Sequence, residues 1–123
     1  MSRVPHHPSR EQIRLPLVLD CLSDPIRLAI VCNLAKSEHE GGELRCGDFH
    51  AFGGKSNLAY HFARLREAGL VLTRLVGTAR YMRLRRADLD ARFPGLLDAI
   101  IASAASDAAQ LPRLEGESLA DAT

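Results

Sequence analysis

Cysteine and histidine side chains are the groups in this 123-residue chain that could bind a soft metal or undergo oxidation. Cys46 and His50 stand four positions apart, about one helical turn, and His6 and His7 are adjacent near the first residue. Soft metals require three or four thiolate or imidazole ligands, so Cys46 and His50 fall short unless the two N-terminal histidines complete the set. We therefore predict no metal site and no other cofactor.

The three cysteines also bear on the compartment and on redox sensing. An odd number of cysteines behind a polar first segment indicates a reducing, cytoplasmic location. Cys46, which lies next to Gly47 and is expected to be exposed, is the first candidate for a redox-sensing thiol, and Cys32 is the second. The alternative is that Cys21 and Cys32 are small buried apolar residues, as free cysteines usually are. The sequence leaves open a pairing of Cys32 with Cys46, or of Cys21 with a second copy of the chain.

Catalytic and membrane-spanning patterns are missing from the sequence. It contains no Ser/His/Asp or Cys/His arrangement suited to nucleophilic catalysis and no glycine loop that would cradle a phosphate, so we predict that the protein is not an enzyme. No apolar run approaches the roughly 20 residues that a membrane helix needs. These observations predict a globular protein that works by binding and has no membrane partner.

Basic residues are concentrated in one segment, although the formal net charge of the chain is only +1. Residues 55–86 contain eight Lys and Arg against one acid, Glu67, and so carry +7, whereas the rest of the chain carries −6. A strongly basic segment in a nearly neutral protein is typical of phosphate binding, and nucleic acid is the commonest partner. The alternative is a solvated surface on which the arginines pair with acids from elsewhere in the fold.

The domain organisation follows from where apolar periodicity begins and ends. Residues 1–12 lack it and are expected to form a flexible N-terminal arm. Residues 13–106 form one folded domain, and 107–123, with few bulky apolar residues and a net negative charge, form an acidic tail that we expect to be disordered.

Within the folded domain, helical spacing predicts a short helix over 13–22 and a buried helix that begins at Asp24 and Pro25. Two further helices are predicted over 43–52 and 55–68, separated by Gly53 and Gly54, followed by a β-hairpin over 70–85 and a helix over 87–106 that Pro94 breaks. The predicted fold is therefore mainly helical with a small β-hairpin.

The order of these elements, α-α-α-α-β-β-α, is that of a winged helix-turn-helix domain. Three stretches point to one family: Asp24-Pro25-Ile26-Arg27-Leu28, Glu43-Leu44, and the run SNLAYHFARLREAGLV from Ser56 to Val71. Over roughly residues 13–101 the chain resembles the ArsR/SmtB family of bacterial transcriptional regulators.

The resemblance implies a homodimer that binds double-stranded DNA at an inverted repeat. The first and last helices would form its two-fold interface, which in this sequence means Leu17, Cys21, Leu96, Leu97, Ile100 and Ile101. Such a dimer places two recognition helices in successive major grooves, about one helical turn apart.

The helix over 55–68 would then be the recognition helix, and the hairpin would be the wing. The predicted DNA-contacting residues are Lys55, Ser56, Asn57, Ala59, Tyr60 and Arg64 on the helix and Arg74, Arg80 and Arg83 on the wing. His61 is predicted to be a buried, hydrogen-bonded packing residue and not a base reader.

The family's known sensor sites are incomplete in this sequence. One metal site has two cysteines near Glu43, where this chain has Arg45 and Gly47. The dithiol site pairs a cysteine at the position of Cys32 with one in the last helix, where this chain has none. We predict a repressor that a chemical signal releases from its operator, with the thiols of Cys32 and Cys46 as candidate sensors and the inducer unknown. The alternatives are a repressor without an inducer site and a winged helix that binds another protein.

Overall fold

The computed structural model describes residues 5–113, which contain five α-helices and a three-stranded sheet. The helices are Leu15–Leu22 (α1), Pro25–His39 (α2), Lys55–Glu67 (α3), Arg86–Arg92 (α4) and Leu96–Ala105 (α5). The strands are Leu44–Arg45 (β1), Val71–Val76 (β2) and Ala79–Leu84 (β3), and short 3-10 helices cover Arg10–Gln12, Cys46–Phe52 and Ala108–Gln110. No helix in this part of the chain is long and apolar enough to cross a membrane.

Helix α2 runs through the core and begins where the sequence predicted. Asp24 Oδ2 accepts hydrogen bonds from the backbone N–H groups of Ile26 at 3.0 Å and of Arg27 at 3.1 Å. Pro25 occupies the first helical position, where its missing N–H leaves no donor unsatisfied. The predicted break at Pro94 is also confirmed, because α4 ends at Arg92 and α5 begins at Leu96.

The segment 43–52 differs from the predicted helix. Its first residues form β1, which pairs antiparallel with β3 through Leu44 and Met82, so the hairpin becomes a three-stranded sheet in the order β1-β3-β2. Cys46–Phe52 follows as a 3-10 helix. Side chains three positions apart share one face of a 3-10 helix, so Phe49 and Phe52 are both buried, with ring centroids 5.8 Å apart.

The predicted flexible arm is docked on the domain over residues 5–12. Strand β2 is an edge of the sheet, and its Thr73 N–H donates to Nε2 of His7 at 3.0 Å. Arg66 Nε donates to the His6 carbonyl at 3.1 Å, and Arg85 donates to the Pro8 carbonyl at 2.6 Å. The free edge of a sheet offers unpaired backbone groups, which explains why a segment without apolar periodicity still packs there. Residues 1–4 and 114–123, the rest of the predicted arm and most of the predicted tail, lie outside the described residues.

Candidate nucleic-acid interface

Helix α3 divides into a buried side and an exposed face that carries the predicted contact residues. Leu58, His61 and Leu65 are buried in the domain. Exposed on the N-terminal half of the helix are Lys55, Ser56, Asn57, Ala59 and Tyr60, the last 58% exposed. Gly54 at the N-cap has no side chain to cap the helix, so the first N–H groups are available to an anion. The structure therefore brings five of the six predicted helix contacts to one surface.

A buried hydrogen-bonded pair fixes α3 against the first two helices. Arg27 Nε donates to the Cys21 carbonyl at 2.8 Å, and Arg27 also lies 3.2 Å from Nδ1 of His61. A guanidinium can only donate, so the imidazole nitrogen of His61 is the acceptor. The prediction that His61 is a packing residue is confirmed, and its partner Arg27 is also buried.

The strand register separates the predicted wing arginines onto two faces of the sheet. Arg80 pairs with Leu75 in the same alternation as Thr73 and Met82, so it lies on the face that turns toward α3. Arg74 and Arg83 lie on the opposite face, with Tyr81. The Arg74 guanidinium is 5.1 Å from the centre of the Tyr81 ring and donates to the carboxylate of Glu43. The three arginines, all predicted to contact DNA, therefore lie on two faces of the wing.

The basic segment is partly neutralised by acids from other elements. Arg64, predicted to contact DNA, lies 3.6 Å from Asp20 and 3.8 Å from Glu67. Arg85 pairs with Asp88, Arg86 pairs with Glu38 and Asp98, and Arg74 pairs with Glu43. Within residues 5–113 the members of the segment that lack a carboxylate partner are Lys55, Arg66, Arg80 and Arg83. Some arginines of the basic segment therefore pair with acids from elsewhere in the fold, and the others remain available to bind phosphate.

Relatives of known class match most of the chain. Over 97 residues it is 39% identical to YceK, an uncharacterized HTH-type transcriptional regulator of Bacillus subtilis (strain 168), and the match covers 75% of this chain and 90% of YceK. Its fold is similar to that of the transcriptional repressor BigR from Xylella fastidiosa, with a TM-score of 0.55 and 28% sequence identity, over 72% of this chain and 84% of that one. No family model matches the chain. The chain belongs to the ArsR/SmtB family of helix-turn-helix transcriptional regulators.

In this regulator the 3-10 helix Cys46–Phe52, the glycine turn and α3 form the helix-turn-helix, with α3 as the recognition helix and β2-β3 as the wing. The relatives are transcriptional regulators and not enzymes, and DNA is the partner that a helix-turn-helix regulator binds. Among the described residues, no three His, Cys, Asp or Glu side chains are grouped closely enough to hold a metal ion.

The cysteines of the regulator are free thiols in buried or half-buried positions. Cys21 is 1% exposed, and burial raises the pKa of its thiol to about 11. Burial also raises the pKa values of Cys32 and Cys46, although nearby Arg80 acts in the opposite direction on Cys46. The sequence predicted an exposed Cys46, and this is wrong because the residue packs against the hydrophobic core. The thiolate is the reactive form, so these environments disfavour oxidation at neutral pH.

The predicted dimer residues fall into two groups in the regulator. Leu17 is exposed on α1, and Leu96, Ile100 and Ile101 are half-buried on α5. Cys21 and Leu97 are buried in the core of the single chain, and the predicted dimer interface as a whole stays a prediction.

The predicted dimer residues did not include two exposed apolar residues of α1, Leu15 at 39% and Leu19 at 47% exposure. Their i, i+4 spacing places both on one stripe of the helix, and this is the signal that could have identified them.

Proposed function

We propose that the regulator is a homodimeric repressor that binds an inverted-repeat operator, with α3 in the major groove. The observation that carries this proposal is the exposed polar face of α3, at the uncapped end of the helix and next to cations that lack acid partners. Asn57 is suited to read an adenine edge, and Tyr60 to contact a thymine methyl or a phosphate. Lys55 and Arg80 flank this face and are suited to phosphate contacts.

The proposed dimer rests on apolar surface that the single chain leaves uncovered. On α1, Leu15, Leu17 and Leu19 are all more than one-third exposed. On α5, Leu96, Ile100 and Ile101 are half-buried in the single chain. Exposed apolar residues are typical of an association site, and the commonest closed arrangement of identical chains is a two-fold dimer.

Cations without acid partners favour DNA over protein as the partner of the wing and recognition helix. Lys55 and Arg80 lie beside the exposed face of α3 without a carboxylate partner in the described residues, so their charge is available to DNA phosphates. The similarity to a repressor of known structure supports repression as the direction of regulation.

The experiment that tests this proposal combines selection and footprinting. Selection from random duplex DNA should yield an inverted repeat with half-sites about one helical turn apart, and footprinting beside the regulator's own gene should protect a matching site. Loss of the regulator should raise transcription of a reporter that carries this site. Recovery of no sequence preference, or lower transcription without the regulator, would contradict the proposal.

The dimer is tested by sedimentation of two charge-matched variants. Leu19→Glu should give monomers, because it places a carboxylate in the proposed interface. The control is Val76→Glu, which introduces the same charge at a wing residue of similar exposure, 49% against 47%. A monomeric wild type, or a Leu19→Glu variant that stays dimeric, would refute the interface.

A further inference from the structure

A large groove lies between the recognition helix, the 3-10 helix that precedes it and the wing. Its volume is about 630 Å³. The 3-10 helix contributes Cys46, Gly47 and His50, the recognition helix contributes Leu58, Ala59 and Phe62, and the wing contributes Thr73. Pockets of roughly 300–1,000 Å³ suit drug-sized small molecules, so the groove is large enough for one organic ligand.

The groove has the apolar lining and the few charged groups that typify small-molecule sites. Leu58 and Phe62 supply apolar wall, and the raised pKa of the Cys46 thiol leaves it neutral at pH 7. Lys55, Arg66 and Arg80 also line the groove.

These three cations contribute the charge of the site. None of the three has a carboxylate partner within residues 5–113, although Arg66 Nε donates to the His6 carbonyl. No glutamate or aspartate is among the residues that line the groove, so its charge is uniformly positive.

We propose that this groove binds a small organic monoanion with an apolar body, such as an aromatic carboxylate, and that Arg80 and Lys55 hold its charged end. Charge complementarity selects an anion over a neutral or cationic ligand, and the apolar wall selects a hydrophobic body over inorganic phosphate. A carboxylate paired with a guanidinium makes charge-assisted hydrogen bonds that a neutral amide cannot match.

Ligand binding at this site would oppose DNA binding. The coupling rests on the proposed function, because Lys55 and Arg80 are the cations assigned there to phosphate contacts. A carboxylate held by them offsets one positive charge that DNA would otherwise use and occupies both side chains, and thermodynamic linkage requires DNA to weaken ligand binding by the same factor. The regulator would thus carry its release signal on its DNA-binding surface, without a thiol or a metal.

Calorimetric titration of the full-length regulator with 2-naphthoate and with its neutral analogue 2-naphthamide tests the site. We expect 2-naphthoate to bind, and 2-naphthamide to bind at least about tenfold more weakly. Binding of neither compound, or equal binding of both, would overturn the proposal.

A pair of leucine variants tests the location of the site. A Cβ at Gly47 would meet no atom within 4 Å, and the backbone φ of this residue is not positive. Gly47→Leu therefore fits sterically and fills the groove. This variant should lower the affinity for 2-naphthoate at least about tenfold. Ala51→Leu adds the same apolar bulk at an exposed residue of the same 3-10 helix outside the groove, and should leave affinity unchanged. Unchanged binding by Gly47→Leu would overturn the assignment to this groove.

DNA-binding assays separate a failure of this inference from a failure of the proposed function. 2-Naphthoate at a concentration that saturates the wild type but not Gly47→Leu should weaken operator binding by the wild type about tenfold and by the variant less than twofold. Operator binding without any response to 2-naphthoate would overturn the coupling and leave the proposed function intact. Binding of 2-naphthoate by a protein that binds no DNA sequence would refute the proposed function and leave the ligand site intact.

Discussion

Replacement of Arg80 by alanine probes the wing directly, because the register places this side chain on the face toward the recognition helix. Arg80 is exposed and has no carboxylate partner in the described residues. In the folded regulator its charge is therefore available to a phosphate. Loss of Arg80 should lower affinity for every DNA sequence and reduce the salt dependence of binding.

The magnitude follows from counterion release. Each neutralised phosphate contributes about 0.9 to the slope of log affinity against log salt concentration. At about 0.15 M salt, one such contact corresponds to roughly a fivefold change in affinity, or about 1 kcal/mol. A dimer carries two copies of Arg80, so Arg80→Ala should reduce the slope by about 1.8 and the affinity by about 30-fold.

Two control variants distinguish a phosphate contact from a loss of net charge. Arg83→Ala removes the same charge from the opposite face of the wing, so its slope should change by less than half as much. The double variant Glu43→Gln with Arg74→Gln removes the ion pair without changing net charge and should leave the slope unaltered.

The measurement is fluorescence anisotropy with labelled operator duplex at four or more salt concentrations between 50 and 300 mM. Equal slopes for Arg80→Ala and the wild type would refute the placement of Arg80 at the duplex. Equal effects of Arg80→Ala and Arg83→Ala would show that net charge, and not the face of the strand, determines binding.

Three further predictions concern stability and the docked arm. Arg27→Met should lower the free energy of unfolding by about 2 kcal/mol in urea denaturation, because the buried acceptors on Cys21 and His61 lose their donor; a loss below about 0.5 kcal/mol would contradict this. Gly69→Ala should lower the melting temperature, because Gly69 has φ +84° and a Cβ there would lie 2.5 Å from Cγ1 of Ile13. The control Gly47→Ala should leave the melting temperature unchanged, because a Cβ at Gly47 has no atom within 4 Å. Burial and the nearby Arg66 lower the pKa of His7 below 6.5 in the docked arm, so docking should be fully favoured above pH 6.5 and lost as the pH falls through the lower value. Hydrogen exchange at the Thr73 amide should show this pH dependence in the wild type and not in His7→Ala, and a matching profile in both would rule out the imidazole as its cause.

Local signals in the sequence correctly predicted most of the helices and the exposed face of α3. Asp24 and Pro25 mark the start of α2 because the capping geometry needs only residues next to the helix. The spacing of Leu58 and Leu65 places the exposed face of α3 without knowledge of the rest of the fold. Each of these inferences depends on interactions within about one or two helical turns.

Contacts between distant segments account for the predictions that failed. The segment 43–52 carries a helix-like apolar pattern, yet β1 forms because β3 offers it a strand to pair with. Cys46 is half-buried for the same reason, since the pairing brings it to the edge of the core. The arm over residues 5–12 docks because β2 has a free edge, and no sequence pattern within the arm itself predicts this contact.

The sequence by itself determined the class of the protein, through the helix spacing, the caps and the positive charge concentrated in residues 55–86. Only the tertiary structure decided which of those charges remain available to a ligand. Ion pairs form between residues as far apart in the chain as Arg74 and Glu43, or Arg86 and Glu38, so charge counted along the sequence includes arginines that the fold neutralises. Three of the four cations left over in the described residues, Lys55, Arg66 and Arg80, meet at one groove because strand register and helix packing place them there.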